Sequence, residues 1–238
     1  MSYSLVRTSC GVSVDLGESK RLFLHHLVGI GRNYADHAKE QAAAIPDRPM
    51  VFTKNPMSAC LSGDDIRVPK LCQDRGQVDF EGELAVIIGT DAKNVPQDRA
   101  MDHILGYCCA NDVSARWWQK EGSGGQFYRG KSFDTFCPLG PAVIPTSQIP
   151  DPMSLQLTTR VNGQVMQQDS TAKMVFSVSN LIADLSRGMT LPAGTVILTG
   201  TPAGVGMARN PQVWLQHGDR VEIEIEGIGT LSNSVIFE

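Results

Sequence analysis

Residues 78–89 read VDFEGELAVIIG, two carboxylates two positions apart that lead straight into an apolar run. A short apolar run rich in Val and Ile and closed by Gly predicts a strand, and a strand carries side chains i and i+2 on one face. Glu81 and Glu83 therefore point into one space, with the residues through Ile87 anchoring the strand. Two like charges side by side admit two readings. A frayed strand start would leave both in water, where glutamates usually lie. A hard divalent cation would instead hold them together, because Mg²⁺ takes carboxylate oxygens at short distance and offsets their repulsion.

The remainder of the chain bounds the choice. It has 238 residues, 42% hydrophobic and 19% charged, enough to build one sizeable core as a single domain. No apolar run approaches the length of a membrane span. A formal charge of -4 offers no broad basic field for nucleic acid or anionic lipid, so neither is expected as a partner. An acidic substrate would have to be met by a local cluster of Arg, Lys or metal. Residues 1–20 have neither a basic start followed by an apolar core nor the Arg-rich bias of a transit peptide, so a cytoplasmic location is expected. The 6 cysteines show no C-x-x-C spacing and read as free thiols, and the 5 histidines form no H-E-x-x-H.

Along the chain, residues 21–31 form an apolar stretch ending in Gly31, followed by RNYADHAKE. A helix from about Tyr34 places His37 and Glu40 one turn apart on one face. Pro46, Asp47, Arg48 and Pro49 break the chain before a strand at 50–54, so the link from His37 to Pro49 has the composition of a movable segment. A short helix is predicted over 96–103, and a buried strand over 104–113 delivers Asn111 and Asp112. Ser114 then caps a helix containing Arg116, Trp117 and Gln119. Residues 121–138 are Gly-rich and carry Arg129, Lys131 and Asp134, the composition of a loop that wraps a ligand or of a mere connection. From Leu155 the reading is mainly β, with Asn162-Gly163 as a hairpin turn. One helix interrupts it, opened by Ser177, with Val178, Leu181, Ile182 and Leu185 on one face and Gly188 at its end. The strand before Thr199-Gly200-Thr201 and the alternating Arg220 to Glu226 complete a mainly antiparallel or mixed sheet architecture with a few flanking helices.

Singly, Asp112, His37, Lys131 and Thr201 each have an ordinary explanation: a helix cap, a surface histidine, a solvated cation and a turn. In this order, and with these neighbours, the chain resembles the fumarylacetoacetate hydrolase family. The stretches that carry the resemblance are GRNYADHAKE from Gly31, DFEGELAVIIG from Asp79, ANDVSAR with Gln119 following, GKSFDTFCPLGP from Gly130, VNGQVMQ from Val161 and ILTGTPAGVG from Ile197. The branch it is most similar to includes the oxaloacetate tautomerases. The resemblance implies an α+β fold that is mainly β, a mixed β-sandwich roll, with residues 1–28 as a short N-terminal segment and 29–238 as the catalytic domain. It also implies a homodimer.

By the same resemblance, Glu81, Glu83 and Asp112 would be ligands of a Mg²⁺ or Mn²⁺ ion that a small 2-oxo acid substrate chelates. Lys131 would neutralise developing charge, and Arg32, Gln119 and Thr201 would hold substrate oxygens. His37, oriented by Glu40, would move a proton. Asp79 reads as a supporting or solvated carboxylate. The expected reaction is hydrolysis of a C–C bond in an acylpyruvate through an enolate. Tautomerisation or decarboxylation of oxaloacetate, or a 2-hydroxymuconate-type isomerisation, is the alternative, and a catalytically inactive 2-oxo acid binder is a further one.

Overall fold

In the computed structural model, which describes residues 2–238, the apolar run forms the strand Gly82–Ile88, and every residue of it is buried. Leu84, Val86 and Ile88 pack into one core and Ala85 and Ile87 into another on the opposite face. Burial on both faces is why the run is continuously apolar instead of alternating.

This strand is the fourth of a seven-stranded sheet, in the order Met50–Lys54, His26–Gly31, Thr195–Leu198, Gly82–Ile88, Ile104–Asn111, Cys137–Pro145 and Ala59–Leu61. Neighbours are antiparallel except where Thr195–Leu198 meets His26–Gly31 and Cys137–Pro145 meets Ala59–Leu61. A second sheet of five strands runs Gln164–Ser170, Gln156–Val161, Arg220–Ile225, Gly229–Phe237 and Asp65–Val68. Its Leu157, Ile223, Ile225 and Leu231 close one core against Leu84, Val86 and Ile88, giving the mainly β, mixed sandwich expected. The sheets come close at Gly82, where a Cβ would lie 2.1 Å from Thr159 Oγ1.

The short segment preceding residue 29 forms a three-stranded meander, Ser4–Thr8, Gly11–Asp15 and Arg21–Phe23, and then opens His26–Gly31, the second strand of the large sheet. Val12, Val14 and Leu24 pack into the core behind the large sheet, with Ala85 and Ile87. Met1 lies outside the described residues.

The local signals hold where they rest on periodicity or turn chemistry. The helix Val178–Leu185 buries Val178, Leu181, Ile182 and Leu185, and Ser177 Oγ accepts from Asn180 N at 3.2 Å as its N-cap. Asn162 and Gly163 have φ of 51° and 79°, the left-handed pair that a two-residue hairpin requires. Ser114 differs from its predicted role as a cap. It pairs with Asp79 in a two-residue bridge, and its hydroxyl accepts from Lys131 and donates to the Asp112 carbonyl, so Ala115 stands at the helix start instead. The Gly-rich stretch also proves more ordered than a loop, since residues Phe127–Lys131 are helical and deliver Lys131 inward. All 6 cysteines are free, with Cys10 alone exposed among them. Among the described residues, no helix is long and apolar enough to cross a membrane.

Candidate active site

The site forms where two antiparallel strands end side by side. Pairing of Gly82 with Asn111 and of Glu83 with Ala110 sets the glutamates beside the residue that follows Asn111, which is Asp112. Asn111 Oδ1 accepts from Glu81 N at 3.0 Å, and Asp112 N donates to the Glu81 carbonyl at 2.9 Å, so backbone and side chain both fix the corner. Glu81 stands just ahead of the regular strand, yet its carboxylate shares one space with that of Glu83. Oxygens of Glu81, Glu83 and Asp112 lie within 4.8 Å of one another, and all three residues are buried.

Three buried anions need compensation, and the chain supplies three buried cations. Lys131 Nζ donates to Glu81 Oε2 at 2.8 Å, Asp112 Oδ2 at 2.5 Å and Ser114 Oγ at 2.7 Å, which commits all three of its protons. Lys54 Nζ reaches Asp112 Oδ1 at 2.5 Å. Arg116 bridges Glu81 Oε1 at 2.7 Å and Asp79 Oδ2 at 2.7 Å. Asp79 is buried and supporting, not solvated: its carboxylate also accepts from the backbone N–H groups of Phe80, Gly206 and Met207.

Glu83 has no cation of its own. One of its oxygens accepts from Gly200 N at 2.7 Å. Burial and the neighbouring Asp112 and Glu81 carboxylates push its acid group well above the ordinary value, against the pull of Lys131 and the Gly200 N–H. Burial pushes Glu81 the same way, but Lys131, Arg116 and His37 outweigh it and hold this carboxyl far below the usual range. Lys131 is held protonated by Asp112 and Glu81 in spite of its burial.

The fit to a divalent cation rests on this imbalance. A cluster of oxygen donors that is all carboxylate, with one anion uncompensated and two sharing their cations, suits a hard ion such as Mg²⁺ or Mn²⁺.

Opposite the triad stands the helix Ala35–Glu40. His37, buried to 4% exposure, places Nδ1 at 2.6 Å from Glu40 Oε1. The second Glu40 oxygen accepts from Gly204 N at 2.8 Å, tying the helix to the loop after Thr201. The start of the helix is anchored by Asn33, whose side chain donates to the Thr199 carbonyl at 2.7 Å and accepts from Phe176 N at 2.7 Å. That clamp holds Arg32 in the left-handed region at φ 57°, an unfavourable conformation for a side chain with a Cβ. Residues 44–49, in the segment expected to move, make no backbone–backbone hydrogen bond among the described residues.

One cavity of about 240 Å³ is lined by His37, Glu81, Glu83, Lys131, Arg32, Gln119 and Thr201 together, with Phe52, Met50, Gln41 and Met207. Asp112 and Glu40 are not in its lining but are bonded to residues that are, Asp112 to Lys131 and Glu40 to His37. Gln119 Oε1 accepts from Arg116 Nη1 at 3.0 Å, which leaves its amide N–H groups as donors. Thr201 is more constrained than expected. Its hydroxyl donates to the Gly82 carbonyl at 2.9 Å and accepts from Gln167 Nε2 at 2.7 Å, so its proton is already committed.

Sequence reasoning missed Lys54 and Gln167. Lys54 shares a strand face with Met50 and Phe52, and a charge on an otherwise apolar face was the available signal. Gln167 is buried and joins the two halves of the site, since its Oε1 accepts from Gly82 N at 3.0 Å while its Nε2 serves Thr201 and the Pro202 carbonyl. It closes the VNGQVMQ stretch that carries part of the family resemblance, but that stretch reads locally as a hairpin and gives Gln167 no role.

Comparison with known proteins places the chain in a family. Residues 26–236 match the family described as Fumarylacetoacetate (FAA) hydrolase C-terminal. The chain is 47% identical over 210 residues to oxaloacetate tautomerase fahd2, mitochondrial, of Xenopus laevis, covering 88% of this chain and 65% of that protein. It is 45% identical over 212 residues to oxaloacetate tautomerase YisK of Bacillus subtilis, covering 88% and 69%. The chain thus spans about two thirds of the length of these curated relatives. Among solved structures, a fumarylacetoacetate hydrolase from Exiguobacterium antarcticum superposes with a TM-score of 0.85 at 36% identity, with full coverage of both chains. Triad, dyad and fold occur together in a chain matched over nearly its whole length, and it belongs to the fumarylacetoacetate hydrolase family.

Proposed function

We propose that the protein is an enzyme that interconverts the keto and enol forms of oxaloacetate or a closely similar 2-oxo dicarboxylate. The observation that supports this over the C–C hydrolysis expected first from the family resemblance is the 45–47% identity to proteins named oxaloacetate tautomerases. The chemistry agrees, because tautomerisation asks for one base and a stabilised enolate and consumes no water.

Glu81, Glu83 and Asp112 would hold Mg²⁺ or Mn²⁺, which when bound supplies Lewis-acid stabilisation of negative charge on substrate oxygens. The residues of the chain do the rest. Glu40 accepts the Nδ1 proton of His37 and so orients the ring with Nε2 as the basic nitrogen. His37 takes a proton from the carbon next to the keto group and returns it to oxygen, which completes the isomerisation with no co-reactant. The Gln119 amide and the Arg32 guanidinium, both lining the cavity, bind carboxylate or carbonyl oxygens of the substrate. Lys131 and Arg116 keep Glu81 ionised throughout.

The test is direct. Purified protein with Mg²⁺ or Mn²⁺ should speed decay of the enol absorbance of oxaloacetate, and His37→Asn should abolish the effect. Faster cleavage of acetylpyruvate than interconversion of oxaloacetate would restore the hydrolase reading and reject this one.

A further inference from the structure

Both ring nitrogens of His37 are occupied. Nδ1 lies 2.6 Å from Glu40 Oε1, and Nε2 lies 2.8 Å from Gln41 Nε2. A carboxylate only accepts, so Nδ1 carries the proton. An amide nitrogen only donates, so the Gln41 N–H points at the lone pair of His37 Nε2. That lone pair is the one a proton abstraction needs. Gln41 lines the same cavity as His37, Glu81 and Glu83. It is also the residue at which the helix Ala35–Glu40 ends, and Ala42 next to it takes a left-handed φ of 51° before the unbonded stretch 44–49.

We propose that Gln41 is a positioning residue that caps the basic nitrogen of His37 in the resting enzyme and is displaced when substrate enters. The capping bond stabilises the neutral ring with the proton on Nδ1, so the base is prepared before substrate arrives. It also competes with the substrate for the same lone pair. Each binding event exchanges one neutral hydrogen bond for the contact between His37 and the substrate; Ala42 and Ala43 still donate back to Lys39 and Ala38, and among the described residues the chain is free of backbone–backbone bonds from residue 44 to residue 49. This rests on His37 being the base, as proposed above, but one arm of its test does not depend on activity.

That arm uses protein labelled with ¹⁵N at histidine, holding Mg²⁺, at mildly alkaline pH. The His37 spectrum should show a protonated Nδ1 and an unprotonated, hydrogen-bonded Nε2. In Gln41→Met, similar in length but without a donor, the Nε2 resonance should move toward that of a free lone pair while Nδ1 stays protonated. In Gln41→Glu, whose carboxylate accepts, both ring nitrogens should be protonated. Two protonated nitrogens in the wild type, or an Nε2 resonance that Gln41→Met leaves in place, would overturn the proposal whatever the substrate is.

The kinetic arm follows oxaloacetate interconversion. Gln41→Met should raise kcat/KM by about two- to tenfold, through a lower KM, the weight of one neutral hydrogen bond no longer displaced. Gln41→Glu should lower kcat/KM by about tenfold or more, because a base held as imidazolium cannot take a proton. An unchanged or lower kcat/KM in Gln41→Met with an unaltered melting temperature would mean that Gln41 binds substrate or serves only the fold, and would overturn the proposal. Activity that survives His37→Asn would instead reject the assignment of the base, and the spectra of the Gln41 variants would still decide the capping bond.

Discussion

Lys54 and Asp112 sit at the ends of strands that are not neighbours in the sheet, yet Nζ and Oδ1 meet at 2.5 Å with both side chains wholly buried. Lys54 also donates to the Val113 carbonyl at 3.3 Å, so it ties the edge strand Met50–Lys54 to the corner that carries the triad. Removing one partner of a buried ion pair leaves the other charge uncompensated. Lys54→Met should therefore lower unfolding free energy by about 3 kcal/mol, the low end for such a loss because Lys131 still meets Asp112. Urea denaturation checks this, and Mn²⁺ should recover part of the loss by supplying the missing positive charge. A variant as stable as the wild type without metal would show that the pair contributes nothing net.

Glu83 makes the opposite case, because it is the triad member without a cation partner. In metal-free protein, Glu83→Gln should be more stable than the wild type by about 1 kcal/mol or more at neutral pH, since it removes one of three crowded charges. Its carbonyl can still accept from Gly200 N–H. The folded carboxyl binds its proton more readily than the unfolded one, whose value is near 4.5. The wild type's penalty is therefore absent below that pH and grows as pH rises through the raised folded value. The gap between variant and wild type should close on acidification. With metal the order reverses: Mg²⁺ or Mn²⁺ at about 100 times its dissociation constant should stabilise the wild type by about 2.7 kcal/mol, and Glu83→Gln should lose most of that gain. Thermal melts with EDTA and with Mn²⁺, across pH, decide both halves.

The parts of this arrangement that can be read in the sequence are those written within one stretch. The run after Glu83 announces a buried strand, the Ser177 helix its cap and apolar face, and Asn162-Gly163 its turn. Glu81 and Glu83 become a site only beside Asp112, and no local pattern brings residue 112 to residue 81. The order of motifs in the family resemblance does so. The compensating charges and the bridging amide are less visible because each pairs across the chain: Lys54 with Asp112, Arg116 with both Asp79 and Glu81, and the neutral Gln167 with Gly82 and Thr201. Asp79 and Glu81 look alike in sequence, and only the N–H groups of Gly206 and Met207, arriving from far along the chain, make Asp79 a buried support.

His37 and Glu40 should separate chemistry from metal binding. His37→Asn removes the base and should lower kcat for oxaloacetate interconversion by about 100-fold or more. Mn²⁺ should stabilise that variant against heat as it does the wild type, because His37 is outside the triad. Glu40→Gln keeps a carbonyl oxygen for Gly204 N–H but cannot fix the tautomer as a carboxylate does, so kcat should fall less, by about tenfold. Equal losses in both variants would mean that Glu40 takes part in proton transfer itself.

The approach of the two sheets at Gly82 offers a test of how tightly the triad is held. A Cβ there would lie 2.1 Å from Thr159 Oγ1, with Gln167 Oε1 and Ile223 Cγ1 at 3.4 Å, so Gly82→Ala must displace Thr159 or the strand that carries Gly82. Gly82 stands between Glu81 and Glu83 and contributes both its N–H and its carbonyl to the Gln167 and Thr201 network. Displacement should therefore spread the carboxylates as well as strain the core. The expected cost is about 1–3 kcal/mol in stability together with weakened Mn²⁺ binding. Thr159 Oγ1 has no hydrogen-bond partner, so Thr159→Ala alone should be almost neutral and should open the space a methyl group needs. Gly82→Ala/Thr159→Ala should then recover most of both losses, a non-additive outcome that calorimetric melts and Mn²⁺ titration would show. Additive losses in the double variant would place the conflict at Gln167 or Ile223 instead of Thr159.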